Sequence, residues 1–373
     1  MEKWHSKRKR SFILKNENNI LIKIYEGDFV NEEFEGKGKY ICKNGDYYIG
    51  NFVKNKFEGE GEYFYKNGDK YKGTFMDGYQ NGKGIYYKKG IIEYEGDFIK
   101  GEYEGQGRLN FPNGNYYVGH INKGKMNGYG KLYNENKKLI YKGNFINEIY
   151  DGEGKLHYAN GSYYIGPFIN GKRNGEGKLY YENGDLKYEG SFINDEFEGK
   201  GKLIFEEGSY YIGTFKSGKR TGNGELYRKN RDLIYIGTFK DNLYDGNGEA
   251  HYSNGTYYIG QLMKAKKHGK GILFYKNGNI KYEGTFKKDE YDGKGKLFYE
   301  NGNYYIGTFK DGDRNGNGEL YNKNGDIIYM GDFEKDEFNG FWIYYYPNRN
   351  YYIGGWKEGK RNGEGSLYYK NEK

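Results

Sequence analysis

The feature that most constrains this chain is a pattern, Tyr-x-Gly-x-Phe, six residues, then Gly-x-Gly, that recurs fifteen times. It opens at Tyr25 (Tyr25-Glu26-Gly27-Asp28-Phe29, then Gly36-Lys37-Gly38), the last copy begins at Tyr352, and successive lead tyrosines are 23 or 24 residues apart. One small unit has been copied along the chain. Such an array is built from neighbour contacts, so its function belongs to a surface. Within each copy Tyr, Gly and Phe alternate, and the alternation resumes at Gly175, Gly177, Leu179 and Tyr181. A period of two puts these residues on one face of a strand, with Glu176, Lys178, Lys200 and Lys202 on the other. Helical spacing fits no copy.

Two alternating segments joined by a short loop make a hairpin. Asn-Gly dipeptides, as at Asn44-Gly45, Asn183-Gly184 and Asn277-Gly278, then link one hairpin to the next, and that pair favours the positive φ angles of a type I′ turn. The predicted fold is all-β: an elongated, twisted, single-layer antiparallel β-meander of about fifteen hairpin repeats. At 35% hydrophobic and 30% charged residues the composition alone would suggest disorder, but 47 Tyr and 23 Phe in register argue otherwise. Each ring can bury about 150–250 Å². Glycine weakens a strand unless something approaches closely, so the expected core is rings laid over bare glycine backbone.

The unit Tyr-x-Gly-x-Phe, then Gly-x-Gly, closed by Asn-Gly on a 23-residue period, resembles the MORN repeat. The resemblance covers residues 25–373 as fifteen repeats, with residues 12–24 read as a degenerate capping half-repeat and residues 1–11 as a basic tail. It implies a non-catalytic structural or protein-interaction protein, of the kind that marks cytoskeletal rings in apicomplexan parasites. A peripheral module on anionic phospholipid such as phosphoinositides is an alternative, and a bacterial-type MORN effector or immunity protein is another.

The net charge of +8 is half local, because five cations against one carboxylate lie in residues 1–10. The rest is nearly balanced and lacks the general basic field of a nucleic-acid binder. A single cysteine, Cys42, and the absence of an apolar leader or span fit a reducing, cytoplasmic setting, at a membrane or cytoskeletal periphery, and a chain that is not secreted. Asn160-Gly161-Ser162 and Asn254-Gly255-Thr256 match glycosylation sequons but fall in repeated turns.

No catalytic, metal or cofactor site emerges. His157 and His251 occupy one repeat position four units apart, and His5, His120 and His268 have no partner at ligand spacing. Asp311-Gly312-Asp313 begins like a calcium loop, yet Asn322 stands where a bidentate Glu is needed.

From Tyr141 onward the motif repeats at 47 residues, with acidic-aromatic loops (Asn194–Glu198) alternating with basic ones (Gly171–Arg173, Gly218–Arg220). Such tips either neutralise one another or form a charge-striped edge. Lys7, Arg8, Lys9 and Arg10 of the tail, with Lys172, Arg173, Lys219 and Arg220 of the tips, are the candidate lipid contacts. The fourteenth copy carries Trp342 where the others have their second glycine, and Trp356 then replaces a Phe. With Tyr344, Tyr345 and Tyr346 they are the candidate anchors of a homodimer through the C-terminal repeats.

Overall fold

Each copy of the motif folds into two antiparallel strands, as alternation requires. A computed structural model describes residues 10–15 and 21–370 of the chain. Two units are distinguished, Met1–Asp185 and Leu186–Lys373. Within each, strands adjacent in sequence pair antiparallel, save that Lys172–Arg173 and Gly175–Tyr180 are two pieces of one interrupted strand and both pair with Tyr163–Ile169; no helix occurs among the described residues. The all-β meander of hairpins is therefore the fold. In the first unit the strand Arg10–Lys15 precedes the first full copy and pairs with Leu21–Val30. Of the basic tail, residues 1–9 and the side chain of Arg10 lie outside the described residues.

The turns differ from expectation in an instructive way. Type I′-like geometry, with both central residues at positive φ, sits inside each hairpin, at Asn31-Glu32 (47° and 68°) or Asp77-Gly78 (53° and 88°). These two-residue loops twist with the strands and so close them directly. At Asn44-Gly45 only the glycine has positive φ (92°), and its N–H donates to the Cys42 carbonyl at 3.0 Å. This is a type I turn ended by a left-handed glycine, a wider three-residue connection. The asparagine holds it by accepting from the Asp46 N–H at 3.1 Å.

The core lies on one face of the ladder, the ring face. Fourteen of the lead tyrosines, Tyr25 to Tyr329, have no exposed surface. Each ring crosses a pair of register-matched glycines: Gly284 stands opposite Gly295, and a Cβ on either would lie 2.5 or 2.3 Å from the Tyr282 hydroxyl oxygen. The hydroxyl donates to the backbone, as Tyr25 does to the Asp28 carbonyl (2.9 Å) and Tyr282 to that of Thr285 (3.0 Å). The ring therefore buries its carbon and satisfies its one polar atom. Burial raises the pKa of Tyr25, Tyr117 and Tyr235 to about 12, so these phenols stay neutral donors. Rings then link copy to copy: Tyr188 meets its own Phe192 edge-on at 5.1 Å and Phe215 of the next copy at 5.4 Å.

Candidate interaction surface

The hairpin loops set what each tip presents. In the second unit the turn Ser217-Gly218 makes Lys219 the first residue of the returning strand and Arg220 the second. Alternation then sends Lys219 outward and Arg220 onto the ring face. The Arg220 guanidinium lies over Tyr211 and Phe239 at 5.6 and 5.4 Å and donates to the Asn242 carbonyl at 2.8 Å. Arg314 does the same over Tyr305 (5.7 Å) and pairs with Asp336 at 2.9 Å. In the alternate copies the same position is a ring stacked flat on the lead tyrosine, as Phe197 on Tyr188 at 3.7 Å and Tyr291 on Tyr282 at 3.9 Å. The 47-residue period is thus an alternation of aromatic and cationic lids on the core. Guanidinium planes suit this place because they stack on rings and are weakly hydrated.

The expected lipid contacts divide accordingly. Arg173 faces Tyr164 at 5.7 Å and Arg220 is turned inward, whereas Lys172 and Lys219 are exposed. Basic and acidic tips of neighbouring copies do meet: Lys219 with Asp241 (3.3 Å), Lys267 with Asp289 (3.3 Å). Of the residues expected at a dimer contact, Trp356 is buried at 9% exposure among Phe338, Tyr344 and Tyr352, each with its ring centroid at 5.5 Å. Trp342 packs across Gly331, whose Cβ would fall 2.2 Å from the Trp342 Cγ. Tyr344 and Tyr346 are half-buried against each other at 4.9 Å. Tyr345 is exposed, as is Phe341, which the sequence reading passed over.

The opposite, outer face is where side chains remain open, and its register was not visible in the sequence. One row across the first unit reads Glu26-Lys39-Ile49, then Glu62-Lys72-Ile85, then Glu95-Arg108-Val118, an acid-base-aliphatic cycle on successive strands. Opposite charges stand side by side, with Lys72 3.3 Å from Glu62. The next three places are Lys131, Lys142 and Lys155, with Ile165 and Lys178 following. The second unit's row runs from Lys202 into Ile212-Glu225-Ile236-Glu249-Ile259, a stretch without Lys or Arg. Flanking this row, tyrosines pair across hairpins, as Tyr163 on Tyr180 at 4.6 Å and Tyr210 on Tyr227 at 5.0 Å.

A third row closes the hairpins. In the first unit it holds exposed Val30, Val53, Met76, Ile99, Ile146 and Ile169. The second unit has Lys216, Lys240, Lys287, Lys310 and Lys357 at that repeat position, with exposed Ile193 and Met263 and with Glu334 at the others. Among the described residues no group of three or more His, Cys, Asp or Glu side chains is placed to hold a metal ion.

Two solved structures show local likeness: the Drosophila melanogaster SAS-4 (dCPAP) TCP domain in complex with a proline-rich motif of Ana2 (dSTIL), and a protein of unknown function from Bacteroides caccae. The first is 9% identical over 64% of this chain and 99% of its own, with a TM-score of 0.17. The second is 11% identical over 69% and 92%, with a TM-score of 0.14. Overlaps this low carry no argument. No curated protein matches the sequence. The family comparison is decisive: the MORN repeat matches fourteen segments, contiguous or nearly so from 25–47 to 305–327, and then 352–372. It passes over the copy that begins at Tyr329, where Trp342 replaces the second glycine of the motif. The chain belongs to the MORN-repeat family.

Proposed function

We propose that this protein is a non-catalytic scaffold whose outer face and hairpin margin bind other proteins, a second copy of itself among them. The carrying observation is the division of labour between faces. Rings and glycines of the ring face are consumed by the core, while the outer face offers ordered rows of aliphatic, aromatic and charged side chains. Exposed apolar residues arranged in a row, rather than scattered singly, are characteristic of interaction surfaces. The inward turn of Arg173 and Arg220 leaves Lys172 at one tip, and Lys219 beside Lys216 at the other, as the outward cations. This supports protein contact over the anionic-lipid reading.

A tagged full-length chain imaged in its native cell, with cross-linking and mass spectrometry, tests the proposal. Discrete structures and cross-links from outer-face lysines to other proteins are expected. Uniform membrane labelling together with cosedimentation on phosphoinositide vesicles would overturn it in favour of the lipid module.

A further inference from the structure

The Lys131, Lys142 and Lys155 side chains occupy three successive strands of one outer-face row, each directly opposite the next. Directly opposed strand residues lie about 4.5–5.5 Å apart at Cα, and like charges placed so destabilise a sheet. Everywhere earlier in this row of the first unit a cation is flanked by a carboxylate and an aliphatic side chain. Here Val118 precedes the three lysines and Ile165 follows. None of the three has an ion pair among the described residues. The Lys155 ammonium lies over the Tyr163 ring at 4.0 Å. Glu153, two residues before Lys155 on the same face, is displaced from the row and stands opposite Pro167. The cycle that neutralises the row is therefore suspended over three strands.

The complementary surface is on the same chain. In the second unit Glu225 and Glu249 stand in the corresponding row, separated by Ile236 and bounded by Ile212 and Ile259, with no Lys or Arg in that stretch; Glu225 accepts from the Tyr227 hydroxyl, and the His251 imidazole Nε2 lies 2.7 Å from Glu249. Lys131 and Lys155 are two strands apart, and so are Glu225 and Glu249, a separation of about 9.6 Å in each case. Both stretches carry outward tyrosine pairs beside them, and the isoleucines Ile212, Ile236 and Ile259 are exposed.

We propose that the outer face of the first unit, at Lys131, Lys142 and Lys155, docks onto the outer face of the second unit, at Glu225 and Glu249, of another copy of the chain. The inference rests on the scaffold reading and names one of its protein partners. The contact joins two different surfaces, so two copies satisfy both patches in a reciprocal pair, and a one-sided contact leaves a free patch at each end for a further copy. Charge sets its register, and the interleaved isoleucines supply apolar area.

Charge exchange tests it. Sedimentation velocity of the intact chain at low salt should show mass rising with concentration, and the apparent dissociation constant should rise roughly tenfold or more towards molar salt, where screening shortens to about 3 Å. The variant Lys131→Glu/Lys142→Glu/Lys155→Glu should stay at the monomer value, and so should Glu225→Lys/Glu249→Lys. Mixed in equal amounts, the two should associate again, because each supplies the charge the other lacks. All five side chains lie on the outer face, and unchanged circular dichroism verifies each fold. A variant that loses its sheet spectrum is replaced by the Gln series, for which weakened self-association is expected. A monomeric parent, salt-independent association, reversal variants that associate like the parent, or a mixture that remains monomeric would each overturn the contact. Cross-links to other proteins in the cell would survive that failure, so it is distinguishable from failure of the scaffold reading.

Discussion

The early hairpins of the first unit and the cation-lidded hairpins of the second solve the same packing problem with different chemistry. At Tyr48 the lid is Phe57, stacked at 4.0 Å, and the next copy's loop contributes Gly78, which has no side chain. At Tyr305 the lid is Arg314, and the next copy's loop contributes Asp336, which receives the guanidinium. The turns differ in the same sense. Asp46 and Asp69 of the first unit are buried carboxylates reached by tyrosine hydroxyls of the following copy, Tyr63 at 2.9 Å and Tyr86 at 3.0 Å. Later copies carry an aliphatic side chain at that tyrosine position, Leu109 to Leu179 in the first unit and Leu203, Leu226, Ala250, Leu273, Leu297, Leu320 and Leu367 in the second, Tyr344 excepted, and the second unit's turn residue Asp232 is exposed. Each lid type comes with its own neighbour, so the repeats are not interchangeable although the motif is constant.

Exchanging lids breaks the comparison most sharply. Phe57→Arg places a guanidinium where no acceptor exists, and we expect a loss of about 3 kcal/mol by denaturant unfolding. Adding Gly78→Asp should restore part of it, because aspartate tolerates the left-handed conformation there, as Asp336 does at φ 68°. No recovery in the double variant would show that the loop carboxylate is irrelevant to the cationic lid.

Removing the acceptor from the second unit is the converse. Asp336→Gly leaves Arg314 on the ring face without its carboxylate and should cost about 1–3 kcal/mol. Amide hydrogen exchange should place the loss at Asp313–Tyr321 and the strands beside it. Arg314→Tyr, which installs the lid of the alternate copies, should retain stability within about 1 kcal/mol.

A smaller effect separates the turns by pH. Burial opposes ionisation of Asp46 and Asp69, but donors from backbone N–H, Tyr and Asn outweigh it, so both carboxyls are held below the ordinary aspartate value. A depressed folded-state pKa contributes stability above the unfolded value, and that contribution is lost as pH falls through the folded one. Below about pH 4 the first unit should therefore soften, and Asp69→Asn should remove part of that acid dependence at a cost of about 1–2 kcal/mol at neutral pH. An acid limb unchanged by the substitution would place the dependence elsewhere.

The smallest expected effect reports on the lysine row. Burial, and secondarily the Lys155 ammonium, hold the His157 imidazole below its ordinary pKa. Lys155→Gln should raise it in an NMR titration. A value that does not move would leave burial as the sole cause.

Much of this was legible from alternation alone. Period two fixed which residues share a face, and the paired glycines implied rings laid over them, as Tyr282 over Gly284 and Gly295 demonstrates. The inward arginines were hidden because Gly171-Lys172-Arg173 reads as a basic tip until the turn is known to be Asn170-Gly171 alone, after which Lys172 must point out and Arg173 in. The outer-face rows were hidden for a related reason. Lys131, Lys142 and Lys155 are 11 and 13 residues apart, and they align only through ladders with register shifts at Leu132/Tyr133 and Gly143/Phe145. Trp356, named among the candidate dimer anchors, takes the repeat position of a core Phe and is correspondingly buried.

The most direct test of the claim that the outer face is the contact surface is lysine acylation of the intact chain, read by mass spectrometry at increasing protein concentration. The account predicts that Lys131, Lys142 and Lys155 lose reactivity as association proceeds, while loop lysines such as Lys54 and Lys123 keep theirs. Protection of the loop lysines with the row left fully reactive would contradict it.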